Sequence, residues 1–110
     1  MSMNGLRRKA KRRIEREYQR FRKTKLIHAT KTEIWNLSHK IYFYSSIREY
    51  FDINGAIPGI YLELASVEPA LIHMMWEMYL KEERLQFQTW EGIEEILEQV
   101  FLSWKVPEVA

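Results

Sequence analysis

Leu6, Ala10, Ile14, Tyr18 and Phe21 recur every three or four residues near the start of the chain. That spacing sets them on one narrow stripe of a helix running from about residue 5 to residue 27. From Glu33 to Phe51 the same period returns more densely, with Ile34, Leu37, Ile41, Tyr44, Ile47 and Phe51 on one face and Trp35, Tyr42, Phe43 and Tyr50 widening it. So broad an apolar arc predicts a heavily buried helix. Between the two, Thr30-x-x-Glu33 has the spacing of a capping box, which makes residues 28–32 a joint.

The segment "DINGAIPG", residues 52–59, places Asn54-Gly55 and Pro58-Gly59 where the second helix must end. "IYLELAS" after it reads as one or two helical turns, although its apolar content also suits a strand. Ser66 can cap a third long helix with Pro69 in its first turn, where a missing N–H costs nothing. Leu71, Met75, Met78 and Leu85 continue one stripe of that helix. Thr89 can cap a last helix over 90–104, on which Trp90, Ile93, Leu97, Val100 and Trp104 form a seam supported by Ile96 and Phe101, and Pro107 ends it. No strand pattern competes, and neither internal repeats nor low-complexity segments interrupt the chain. The predicted fold is all-α, a compact bundle of about four main helices, with residues 1–31 as a basic N-terminal helix or arm and 32–110 as the body.

Length and composition agree with one soluble globular domain: 110 residues, 46% hydrophobic and 29% charged. No apolar run reaches the eighteen or so residues of a membrane span, and the charged N-terminus is not followed by the core of a signal peptide, so a cytoplasmic address without a membrane partner is expected. Cysteine is absent, which removes disulfides, thiolate nucleophiles and sulfur-ligated zinc.

Charge changes the picture more than composition does. The formal net charge is only +2, yet residues 1–31 carry twelve Lys/Arg against two Glu, and residues 32–110 carry five against thirteen acids. The basic part is concentrated in "RRKAKRRIEREYQRFRK", residues 7–23. There Arg7, Arg8, Lys9, Lys11, Arg12, Arg13, Arg16, Arg20, Arg22 and Lys23 surround most of the first helix, a form suited to a nucleic-acid backbone through charge neutralisation and counterion release. Glu15, four residues after Lys11, and Glu17, three before Arg20, are expected to pair locally on the helix. A membrane-surface helix needs a broader apolar face than this stripe offers. Because the wide apolar faces all lie after Ile34, removal of residues 1–25 is expected to leave a folded body.

On the last helix, Glu91, Glu94, Glu95 and Glu98 stack like charges at i,i+4 and, with Glu77, Glu82 and Glu83, can present an acidic surface to a basic protein partner. Glu94, Glu95 and Glu98 are expected to lie opposite the Ile93, Leu97, Val100 seam. A recognition helix carrying them would be repelled by phosphate, so the last two helices are not read as a helix-turn-helix. Met74, Met75, Trp76 and Met78 could form an adaptable docking surface, but a stripe at helical spacing is more often core. The four tryptophans, Trp35, Trp76, Trp90 and Trp104, default to packing in the same way.

His28, His39 and His73 lie in three different segments, and His73 with Glu77 is the one i,i+4 pair resembling metal ligands. No di-iron Glu-x-x-His spacing, nucleophile elbow, phosphate-cradling glycine loop or zincin motif occurs. Neither an enzyme, a cofactor nor a metal is therefore expected.

"HKIYFYSSIREYF", residues 39–51, together with "MYLKEERLQFQTWEGIEEILEQVF", residues 78–101, resembles the small uncharacterised helical proteins carried by phages and mobile elements of Gram-positive bacteria. The resemblance implies a regulator or inhibitor of host machinery, anti-CRISPR proteins among them, and it assigns a role to no residue. The leading expectation is a non-enzymatic binding protein whose basic helix contacts nucleic acid or a nucleoprotein complex. The alternatives are a protein inhibitor acting through the acidic surface, or a homo-oligomer in which basic helix meets acidic hairpin.

Overall fold

A computed structural model describes residues 3–105 of the chain. It contains six helices, α1 (Met3–Phe21), α2 (Lys31–Asn36), α3 (Ser38–Ile53), α4 (Gly59–Val67), α5 (Leu71–Lys81) and α6 (Trp90–Lys105), with a π-helical turn at Arg22–Leu26. No strand occurs among the described residues, so the all-α class stands. The expected four main helices become six, and each difference has a local cause. Pro107 lies outside the described residues.

The first helix changes character after Phe21. The Thr24 hydroxyl donates to the Arg20 carbonyl at 2.7 Å, occupying the acceptor that an α-helical N–H would use. The ladder then widens, and the Ile27 N–H reaches back five residues to the Arg22 carbonyl at 3.1 Å. Thr30 caps α2 as its spacing predicts, its hydroxyl oxygen accepting the Glu33 N–H at 3.2 Å. The reciprocal half of the box differs, because the hydroxyl lies 3.1 Å from the Glu33 carboxylate and donates to it.

The expected single helix over 33–51 is broken at Leu37, whose ψ of 1° turns the chain between α2 and α3. Consequently Ile34 and Trp35 leave the apolar arc. Trp35 is 79% exposed, and α2 buries none of its residues. The core face of α3 consists instead of Phe43, Tyr44, Ile47, Tyr50 and Phe51.

The short "IYLELAS" stretch has more weight than its length suggests. It belongs to α4, the main packing partner of α1, and buries Tyr61, Leu62, Leu64 and Ala65. Ala10 and Ile14 belong to the same core cluster, and Phe21 stacks on Tyr44 of α3, so the stripe of α1 is part of the single core. Burial of Ile14 and Phe21 stabilises the fold by roughly 1.5–3 kcal/mol each. The first helix is thus not a free arm, because removing it would uncover α4.

Ser66 does not cap the third long helix. It lies inside α4 and donates to the Glu63 carbonyl at 2.7 Å. Pro69 and Ala70 form a turn, after which α5 begins at Leu71 without a capping side chain of its own. The missing cap comes from α1. Both oxygens of Glu17 accept backbone N–H groups there, from Ile72 at 2.7 Å and from His73 at 2.8 Å. The expected local pairing of Glu17 with Arg20 gives way to this longer-range contact, although the Arg20 charge still acts on the carboxylate. Burial pushes the Glu17 carboxyl up to about 7, outweighing the two N–H groups that favour its ionised form.

Helix α5 stops at Lys81, so Leu85 is a loop residue rather than the end of a helical stripe. Leu85 and Phe87 are nevertheless buried, and Phe87 packs its ring against Phe43, Tyr42, Tyr79 and His39. Met75 is core, with Met74, Trp76 and Met78 packed against it. Thr89 caps α6 as expected, its hydroxyl accepting the Gly92 N–H at 3.0 Å. A Cβ at Gly92 would collide with the Gln86 carbonyl, so only glycine lets this turn close. Ile93, Ile96, Leu97 and Val100 form the buried seam, but Trp90 and Trp104 at its two ends are exposed.

Candidate nucleic-acid interface

With Ala10, Ile14, Glu17 and Phe21 turned inward, the opposite side of α1 is left to its cations. Arg8, Arg12, Arg16 and Arg20 are all exposed and follow one another at i,i+4. A rise of 1.5 Å per residue makes this a row about 18 Å long with steps of about 6 Å. Arg22 and Lys23 extend the exposed positive charge into the π-helical turn, while Lys9 and Arg13 flank the row half-buried.

Two of the expected contact residues are directed elsewhere. Arg7 donates through Nη2 to the Gly55 carbonyl at 2.7 Å, tying α1 to the loop before α4, and its buried Nε has no hydrogen-bond partner among the described residues. Lys11 Nζ lies 4.0 Å from Asp52 on α3. For Arg8, Lys9, Arg12, Arg13, Arg16, Arg20, Arg22 and Lys23, no ion pair forms among the described residues. Both carboxylates within the basic run point away from the row. Glu15 does not pair with Lys11; it receives Arg48 of α3 at 2.6 and 3.1 Å and Gln19 at 2.8 Å. The Arg48 hydrogen bond, followed by that of Gln19, holds the Glu15 carboxyl below its usual range. Glu17 is committed to α5.

The acidic face is less open than its sequence predicts. Glu95 is bound by Arg84 at 2.6 Å, and the same guanidinium reaches Glu82 at 2.9 Å. Glu94 is half-buried and accepts the hydroxyl of the buried Tyr50 at 2.7 Å. It does not lie clear of the packed side, and burial together with Glu94 keeps the Tyr50 phenol protonated far above its ordinary range. Only Glu91 and Glu98 of the four remain exposed without an ion pair among the described residues. None of the four forms an ion pair with α1 there.

His28, His39 and His73 stay apart from any ligand set. His73 Nε2 lies 3.7 Å from Glu77, His39 bonds the Tyr79 hydroxyl at 3.0 Å, and among the described residues no three potential ligands gather. No helix of the described residues is long and apolar enough to cross a membrane. Comparison with protein-family models, with curated proteins and with solved structures finds no match for this chain.

Proposed function

We propose that this protein binds nucleic acid, or a nucleoprotein complex, by laying the outer face of α1 along a phosphate backbone. One observation carries the reading. Arg8, Arg12, Arg16 and Arg20 form an exposed row without ion-pair partners among the described residues, on a helix whose inner stripe is locked into the core. A rigid mount spares the complex part of the ordering entropy that a flexible arm would lose.

Recognition through this row is of backbone rather than sequence. Between Arg8 and Arg20 the single amide side chain is Gln19, and it is already bonded to Glu15. With the arginines of the row spent on phosphates rather than on guanine edges, affinity should vary weakly with sequence. The binding is non-enzymatic, and the role that fits it is regulatory. The inhibitor reading built on the acidic face has less support, since Arg84 and Tyr50 already occupy Glu95 and Glu94.

Titration of a labelled duplex DNA and a single-stranded RNA at two salt concentrations tests the proposal. Four neutralised phosphates correspond to a slope of log affinity against log salt of about −3 to −4, with the shallower value for the single strand. Dissociation constants weaker than about 10⁻⁴ M at low salt for both ligands would overturn it.

A further inference from the structure

A cleft of about 350 Å³ opens where the end of α1, the π-helical turn, α3 and the start of α5 meet. Three cations line it: Arg20, Lys25 and Lys40. Behind them stand Phe21 and Tyr44, stacked with ring centroids 4.1 Å apart. The Lys40 ammonium sits 5.8 Å from the Phe21 centroid and 5.9 Å from those of Tyr44 and Trp76. Its charge is therefore held against aromatic faces, and none of the three cations forms an ion pair among the described residues.

The one carboxylate lining the cleft forms no ion pair with any of them among the described residues. Glu17 spends both oxygens on the Ile72 and His73 N–H groups, at 2.7 and 2.8 Å. Three cations thus face one carboxylate that is already hydrogen-bonded inward. The apolar wall reduces solvent screening on that side and strengthens the field in the cleft.

We propose that this cleft is a binding site for a doubly charged phosphate group, with Lys40 at its aromatic wall and Arg20 and Lys25 at its rim. A carboxylate needs only one guanidinium fork, whereas a phosphate dianion distributes its charge over three oxygens and is matched by several separate cations. The site stands apart from the backbone-binding row. Arg20 is common to both, but Lys25 and Lys40 belong to the cleft. The phosphate could be carried by a small molecule or by the end of a nucleic-acid strand, and the two sources give different results below.

The test is an amide NMR titration of the full chain with inorganic phosphate at low ionic strength, with acetate as the control anion. Phosphate should shift the Thr24, Lys25, Lys40 and His73 signals saturably and bind at least about tenfold more tightly than acetate. Lys25→Gln and Lys40→Gln should each weaken phosphate by about fivefold or more, while Lys31→Gln, at an exposed cation outside both the cleft and the row, leaves it unchanged. Lys25 is exposed, in a π-helical turn that buries none of its residues, so its variant keeps the test decisive even if Lys40→Gln perturbs folding. A short strand with a 5′-phosphate binding about fivefold tighter than its 5′-hydroxyl form, with the gain lost in Lys25→Gln, assigns the strand end. Equal affinity of the two strands, with inorganic phosphate still saturating the cleft, assigns a small phosphorylated ligand. Equal binding of phosphate and acetate, or a phosphate affinity unaffected by Lys25→Gln, would overturn the site. Because the Thr24, Lys25, Lys40 and His73 amides report on the cleft and duplex affinity reports on the row, failure of the duplex titration leaves this result readable.

Discussion

Glu17 on α1 accepts the backbone N–H of Ile72 on α5 at 2.7 Å, although the two residues are fifty-five positions apart. The same carboxylate takes the His73 N–H and so supplies the N-terminal cap that α5 lacks. Glu17→Ala should leave both amides without their partner and cost about 1–3 kcal/mol. Glu17→Gln, which keeps one acceptor oxygen, should cost less. Thermal melts of the three proteins at pH 6 measure the order.

The same residue makes stability depend on pH. Its carboxyl titrates at about 7 in the folded chain against 4.5 for the ordinary group. A raised acid value means that the contribution is complete below pH 4.5 and is lost as pH rises through 7. The wild type should therefore lose stability relative to Glu17→Gln between pH 4.5 and 8, by up to about 3 kcal/mol. Using the difference between the two proteins cancels Glu15, whose lowered value gives the opposite slope at lower pH. Chemical denaturation at five pH values would record it, and a flat difference would remove Glu17 as the source.

Removing residues 1–25 should abolish cooperative unfolding. The deletion takes Ala10, Ile14 and Phe21 out of the core and exposes Leu62, Leu64 and Ala65 of α4. A milder probe is Ile14→Ala, which should cost about 2–5 kcal/mol. Circular dichroism and melting of both variants decide whether α1 is structural.

Periodicity and caps carried much of this fold to the surface of the sequence. The stripe at Ala10, Ile14 and Phe21 lies in the core, and Thr30 and Thr89 cap the helices that follow them. Such signals are local, and their partners stand within four residues. What stayed hidden depends on distant partners. Glu17 looked like a local counter-ion to Arg20 because nothing near it reveals an uncapped helix fifty-five residues on. Phe87 had no periodic neighbours to mark it as core, yet it is 1% exposed. Trp35 read as widening the apolar arc but belongs to a segment that Leu37 turns away from the body. The basic residues of the candidate interface were legible by composition; which of them face solvent unpaired required the fold.

Charge reversals on α6 should differ sharply. Glu94→Lys removes the acceptor of the buried Tyr50 hydroxyl and should destabilise by about 1–3 kcal/mol. Glu98→Lys, at an exposed position without an ion pair among the described residues, should fall within about 0.5 kcal/mol of wild type. Urea unfolding of the two single variants compares them directly.

The most direct measurement is the salt dependence of duplex binding in the double variant Arg12→Gln, Arg16→Gln. Both residues are exposed, and glutamine retains good helix propensity, so the melting temperature should barely change. Fluorescence anisotropy at several salt concentrations gives the slope of log affinity against log salt for each protein. Loss of two phosphate contacts should flatten that slope by about two, alongside weaker binding at low salt. A slope and affinity equal to those of the wild type would contradict the claim that the outer row of α1 holds the phosphate backbone.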